Sequence, residues 1–244
     1  MLLDFGDRFT VSEKGPSDLV TDADLASQEA IRDVVAQHFP ADEFIGEESS
    51  VTSSRLHETC WIVDPLDGTT NYVHRVPHYA VSVALVERGR PNAGCIFDPV
   101  ARECYTASLG GGAFLNGERL KASSVTDLKE ALVAASFSSH VDANSREIDQ
   151  FVDALLVCQA VRRTGSAALN LCYVASGRFD AFWAMTTKAW DIAAGVLLVE
   201  EAGGTVTHWT GKALDLAEPH PAAAGTSALH EAFRRLLVDA RRRT

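Results

Sequence analysis

Apolar positions along this chain follow two different rhythms, and the change from one to the other divides it. In residues 25–39, Leu25, Ile31, Val34, Val35 and Phe39 recur at roughly helical spacing before Pro40. That predicts one amphipathic helix with those side chains turned inward. Phe44-Ile45 and WIVD (61–64) are short apolar runs, and YAVSVALVE (79–87) and AGCIFD (93–98) predict strands joined by a turn through Gly89 and Pro91. CYTASL then meets GGGAFLNGERL, where Asn116-Gly117 marks a hairpin. From residue 131 the rhythm alternates. A strand (131–136) precedes helices at 146–160 and 165–176, a strand at 179–185 and a helix beginning near Asp191. A strand at 204–209, a turn at Thr210-Gly211, the run PAAAG and an amphipathic helix over 226–241 complete the chain. A hairpin-rich α+β half, residues 1–121, therefore packs on an α/β half, residues 122–244. The closing ARRRT reads as a solvated helix end whose cations complement the helix dipole.

Composition narrows the function. The 244 residues are 46% hydrophobic, which excludes a disordered chain, and no apolar run reaches the ~20 residues of a membrane-spanning helix. Lys and Arg number 22 against 33 Asp and Glu, a net charge of −11 that argues against a nucleic-acid partner. The five cysteines form no CxxC pair, and MLLDFGDRF lacks the features of an export signal, so a reducing cytoplasm is expected. The excess acid is either a solvated surface or, in part, a device for holding cations.

WIVDPLDGTTNYVH (61–74) carries the most informative acids. Asp64 and Asp67 stand three apart at a strand end, and Pro65 disfavours the helical region for Asp64. Both carboxylates and the Leu66 carbonyl can then face one space, with Gly68-Thr69-Thr70 offering backbone N–H groups to a phosphate. Hard cations such as Mg²⁺ take oxygen ligands of this kind. The plain alternative is a strand–turn–helix with Thr69 as its cap. Glu47 and Glu48 in IGEES, Asp22 and Asp24 in DLVTDAD, and Asp191 in AWDIAAG add further acids, each explicable alone as a loop or capping residue. His74 and His78 read as surface or packing residues, Arg162-Arg163 as surface or interface ion pairs ahead of substrate steering, and Lys188 as a surface lysine. Glycines 110–112 precede a hairpin and are no dinucleotide fingerprint.

Taken together, KGPSDLVTDAD (14–24), FIGEES (44–49), WIVDPLDGTTNYVH (61–74), RRTGSAALNLCYVASG (162–177) and WDIAAGVLLVEEAGG (190–204) resemble the inositol monophosphatase family of Mg²⁺-dependent, lithium-sensitive sugar phosphatases. The resemblance implies a layered α/β/α/β/α fold with the active site between the two halves. It implies two to three Mg²⁺ ions: Glu47, Asp64 and the Leu66 carbonyl at the first, Asp64, Asp67 and Asp191 at the second, and Glu47 with waters at a weaker third. Gly68 and Thr69 would bind the phosphate, Asp24 and the Thr69 hydroxyl would orient the attacking water, and Ser166, Ala167, Asp67 and Asp191 would touch the substrate. A homodimer and inhibition by Li⁺ are also implied.

Two positions depart from the family pattern. Ala184 stands where many members carry a substrate-binding glutamate, so the expected substrate is a small sugar or polyol phosphate whose identity is open. Only 13 residues precede Lys14, where a full additional helix is usual. Alternatives on the same fold are a fructose-1,6-bisphosphatase, a histidinol-phosphatase or a 3′-phosphoadenosine nucleotidase. A non-catalytic binding protein is the alternative of another class.

Overall fold

The structure, a computed structural model, describes residues 2–5, 9–15, 18–49, 58–138 and 141–240. Pro16 and Ser17 of the first motif and residues 241–244 of the basic tail lie outside the described residues.

A one-turn helix α1 (Leu2–Phe5) and a hairpin of β1 (Val11–Gly15) and β2 (Asp18–Thr21) lead into α2 (Asp22–His38). A seven-stranded sheet follows, with β3 (Glu43–Gly46), β4 (Thr59–Asp67), β5 (Ala80–Glu87), β6 (Arg90–Asp98), β7 (Glu103–Ser108), β8 (Gly112–Leu115) and β9 (Glu118–Arg119) lying in sequence order. Between β4 and β5 sits the short helix α3 (Thr69–Val73). Only the β3–β4 pair is parallel; the rest of this sheet is antiparallel. The Asn116-Gly117 turn has both residues at positive φ (49° and 86°), the conformation that matches strand twist in a two-residue hairpin.

The second half contributes β10 (Leu132–Ser136), α4 (Arg146–Val157), β11 (Ala160–Arg162), α5 (Ala167–Ala175), β12 (Ala181–Ala184), α6 (Ala189–Glu201), β13 (Thr205–His208), β14 (Pro221–Ala224) and α7 (Ser227–Asp239). Its five strands run in the order β11-β10-β12-β14-β13, parallel across β11, β10 and β12. Helices α5 and α6 lie between the two sheets and share one core with both, including Ile62, Ile96, Leu171, Leu197 and Phe182. On the outer face of the second sheet α4 and α7 cover Val133 and Trp183, with Phe233 of α7 packed on Trp183. The layers run α/β/α/β/α. Strand β12 is buried at all four positions because both its faces are covered, and α6 is apolar nearly all round because it is sandwiched.

Several elements differ from the sequence expectation. The 25–39 helix begins three residues earlier, at Asp22, because Thr21 caps it: the Asp24 N–H donates to Thr21 Oγ1 and the Thr21 N–H donates to Asp24 Oδ2. Its buried face is Ala23, Asp24, Ser27, Gln28 and Val35, while Leu25 and Val34 are 53% and 57% exposed. The apolar spacing there was satisfied by a face that the site's polar contacts overrule. The helix expected over 146–160 ends at Val157, with Ala160 opening the edge strand β11, and Pro91 lies inside β6 rather than in the turn. The β1–β2 hairpin had no strong alternation to announce it.

Candidate active site

The parallel pairing of β3 with β4 determines where the first two acids meet. Gly46 pairs with Val63, and the Glu47 N–H continues the ladder to the Val63 carbonyl at 3.0 Å, so Glu47 leaves the sheet beside Asp64. Along β4 the register against β5 slips: Asp64 faces Ser82 and Asp67 faces Ala80, three residues opposing two. A regular strand would send positions three apart to opposite faces. The extra residue of this bulge resets the alternation and brings both carboxylates to one side. The Leu66 N–H donates to Asp64 Oδ1 at 2.9 Å, and the Leu66 side chain anchors the bulge in a small core with Tyr72 and Tyr79.

The polar face of α2 packs beneath these acids. Ser27 Oγ donates to the Pro65 carbonyl at 3.0 Å, and Gln28 Oε1 accepts the Glu48 N–H at 3.0 Å. Gly46 permits this approach, since a Cβ there would lie 2.0 Å from Gln28 Oε1. Asp24 is fully buried; its Oδ2 accepts from Thr21 and its Oδ1 lies 3.2 Å from the Thr69 hydroxyl, which also lies 3.0 Å from the Leu66 carbonyl. The cap of α3 is Gly68, at φ 99°, and Thr69 is the first helical residue rather than the cap. A side chain at Gly68 would be strained at that φ and would press on the His78 and Gly165 carbonyls.

The second half contributes helix starts. Asp67 receives Ser166 Oγ and, from the opening turn of α5, the Ala167 N–H at 3.3 Å and the Ala168 N–H at 2.8 Å. Ser166 also caps α5 through the Leu169 N–H at 3.1 Å. Asp191 occupies the third position of α6 and accepts the Lys188 N–H at 2.7 Å. Ser82, opposite Asp64, donates to the Trp190 carbonyl and so ties β5 to this helix start.

These acids sit in an environment that penalises their charge. Burial first, then the charges of Glu47, Asp67 and Asp191, push Asp64 well above the usual carboxylate range. Burial, followed by Asp67, does the same to Asp191. Burial also raises Asp67, but its hydrogen bonds from Ser166, Ala168 and Ala167 hold it to about 6.

Above them opens a cavity of about 330 Å³ whose lining includes Glu47, Asp67, Gly68, Thr69, Ala167 and Asp191. Asp24, Asp64, Leu66 and Ser166 stand behind this lining. All of the sequence-derived candidates converge here, whereas His74 is an exposed helix end, and His78 stacks on Tyr173 with a pKa lowered by burial. Lys188 is exposed. Arg162 and Arg163 form no ion pairs among the described residues of this chain: Arg162 binds its neighbour's carbonyl and Arg163 lies over Phe137. Among the described residues, no three His, Cys, Asp or Glu side chains already stand at metal-ligating spacing. The donor set is nevertheless all oxygen, and its members raise one another's pKa, a condition that a hard divalent cation would relieve.

Sequence reasoning missed Ser27, Gln28 and Asn71. Asn71 Nδ2 donates to the His78 and Thr164 carbonyls, joining the two halves beside the cavity. The signal for the first two was present: Asp24, Ser27 and Gln28 form a polar stripe at helical spacing.

Known proteins resemble the chain over nearly its whole length. The model of the Inositol monophosphatase family matches residues 2–242. The chain is 40% identical over 225 residues to "Nus factor SuhB" of Pseudomonas aeruginosa, covering 90% of this chain and 83% of that protein. It is 41% identical over 208 residues to "Inositol-1-monophosphatase" of Rhizobium meliloti, covering 84% and 78%. The crystal structure of an IMPase/NADP phosphatase complexed with Mg²⁺ and phosphate superposes with a TM-score of 0.87 at 26% identity, covering 98% of this chain and 90% of that one. The chain belongs to the inositol monophosphatase family.

Proposed function

We propose that this protein is a Mg²⁺-dependent phosphatase of small sugar or polyol phosphate monoesters, working between its 1–121 and 122–244 halves. The observation that carries the reading is the burial of Asp64 and Asp191 against Glu47 and Asp67, carboxylates drawn together by a strand bulge and two helix starts. Glu47, Asp64, the Leu66 carbonyl, Asp67 and Asp191 would hold two to three ions. When bound, Mg²⁺ supplies charge neutralisation for the phosphate, a lowered pKa for water and stabilisation of the leaving oxygen.

The chain's own residues do the rest. Backbone N–H groups at Gly68 and Thr69 point a helix start at the phosphate. If the Leu66 carbonyl held an ion, the Thr69 hydroxyl would donate to Asp24, and its oxygen would be left to accept a hydrogen bond from the attacking water. Asp24 keeps its orientation through the two Thr21 donors and can take the Thr69 hydroxyl proton as Thr69 takes one from the water. Asp67 and Asp191 also border the space where the ester's alcohol would lie, and Ala167 lines its wall. Ser166 contributes by fixing Asp67. A cytoplasmic homodimer inhibited by Li⁺ fits this reading.

The test is phosphate release from a panel of inositol, fructose, histidinol and 3′-phosphoadenosine esters with Mg²⁺, on wild type and Asp191→Asn. Turnover of at least one ester that collapses in the variant supports the proposal; no release from any of them overturns it. Relatives named as Nus factors favour a second reading, a chain acting by binding alone. Under that reading Asp191→Asn would leave the biological role intact.

A further inference from the structure

The cavity wall carries both signs. Glu47, Asp67 and Asp191 line it, and so does Arg163, the one cation among the described lining residues. Arg163 is exposed, and its guanidinium lies 5.4 Å from the Phe137 ring centroid. Phe137 in turn packs edge-on against Phe151 at 5.4 Å, so the platform under the guanidinium is braced from α4. The backbone beneath it is held as well: the neighbouring Thr164 carbonyl accepts from Asn71 at 2.9 Å, which ties Arg163 to the Gly68–Asn71 end of the cavity.

What surrounds this arginine leaves it uncommitted. The nearby lining is Ser136, Ser138 and Thr186, all neutral. Ser136 pairs across the sheet with Ala184, which is fully buried and brings no carboxylate to this region. Glu147, the buried acid behind it, accepts from Ser138 and from Thr186 Oγ1 at 3.0 Å. A stacked guanidinium with a free edge, facing a cavity and lacking an acidic partner among the described residues, is built to take an oxyanion in a forked hydrogen bond.

We infer that Arg163 recognises a second anionic group on the substrate, a carboxylate or a second phosphate, while the carboxylates of the same cavity serve the phosphate being hydrolysed. This rests on the phosphatase reading above and narrows it to esters bearing a further oxyanion. Arg163 is then a specificity-determining residue.

The experiment compares two matched pairs with Mg²⁺: 2-phosphoglycerate against glycerol 2-phosphate, which differ by a carboxylate, and fructose 1,6-bisphosphate against fructose 1-phosphate, which differ by a phosphate. Wild type is expected to prefer the doubly anionic member of at least one pair by about tenfold or more in kcat/KM, through KM. Arg163→Gln should abolish that preference, Arg163→Lys should keep part of it, and added salt should weaken it. Arg162→Gln, one residue away and outside the cavity lining, should leave the ratio as in wild type. Equal treatment of both members of both pairs, or a preference that survives Arg163→Gln, overturns the inference. Hydrolysis of the singly charged esters, judged separately, reports on the phosphatase reading itself; turnover of none of the four would take down both.

Discussion

Asp64 and Asp67 are three residues apart on one strand, yet the protein treats them differently. Asp67 is met by three donors from the start of α5 and is raised only to about 6. Asp64 accepts the Leu66 N–H, faces three other carboxylates, and is raised well above the usual carboxylate range. The difference shows a division of labour. The seven-stranded sheet brings acids together at its parallel edge, and the second half steadies one of them with a helix start. An acid so steadied is preorganised as a ligand in any state, whereas Asp64 is costly until a cation arrives.

The hardest blow to this comparison would come from Asp64→Asn. Removing the less supported charge should cost at least about 10³-fold in phosphate release if Asp64 ligates the ions. The same substitution should raise the metal-free melting temperature, by roughly 2–4 °C for each kcal/mol of repulsion relieved. Activity and stability would move in opposite directions. A variant that loses both has merely lost its packing.

Magnesium should act next most strongly. Ligation relieves the same repulsion, so millimolar Mg²⁺ should raise the wild-type melting temperature, with about 2.7 kcal/mol of stabilisation at a hundred times the dissociation constant. Asp64→Asn should lose most of that shift. An unchanged melting temperature with Mg²⁺, phosphate or both would remove the cation from the account of this cluster.

Ser166→Ala probes the steadied partner. The hydroxyl donates to ionised Asp67 and also caps α5, so its loss should cost about 1 kcal/mol in stability. It should also push the Asp67 pKa further up. The acid limb of the pH–rate profile should move to higher pH, with activity recovering when the pH is raised. Uniform loss at every pH would confine Ser166 to capping.

How much of this was legible beforehand follows the range of the forces involved. The hairpin at Asn116-Gly117, the alternating strands β5 and β6 and the sandwiched α6 were readable because turn chemistry and burial write a local pattern. Glu47, Asp64, Asp67 and Asp191 were found as a set only through their resemblance to a family, since each alone is explained by a loop or a cap. The buried face of α2 was misread: Leu25, Val34 and Phe39 suggested an apolar contact, but Asp24, Ser27 and Gln28 are buried because Thr69, the Pro65 carbonyl and the Glu48 N–H need them. The β4 bulge was also invisible, because register depends on the partner strand. A register set by another strand leaves no periodic trace, whereas the polar stripe of α2 is periodic.

The smallest effect, and the cleanest in sign, is the pH dependence of stability without metal. Asp67 has a folded pKa of about 6 against an ordinary value of 3.8. Between those values the folded chain keeps a proton that the unfolded chain has released, so stability falls as pH rises through this window, by at most about 1.4 kcal/mol per pH unit for one proton. Below 3.8 the contribution is fully present, and above about 6 it is gone. His78, His208 and His230 oppose it, because burial lowers their pKa and acidification favours the unfolded chain. The two are separated by difference: Asp67→Asn keeps the histidines and removes the carboxylate. In EDTA, wild-type stability minus that of Asp67→Asn should therefore rise as the pH is lowered from 7 to 5, read from denaturant midpoints. With Mg²⁺ the slope should reverse, since protons now compete with the ion for Asp67. A difference that is flat in EDTA would mean that the α5 donors fully offset burial, and the contrast between Asp64 and Asp67 would be larger still.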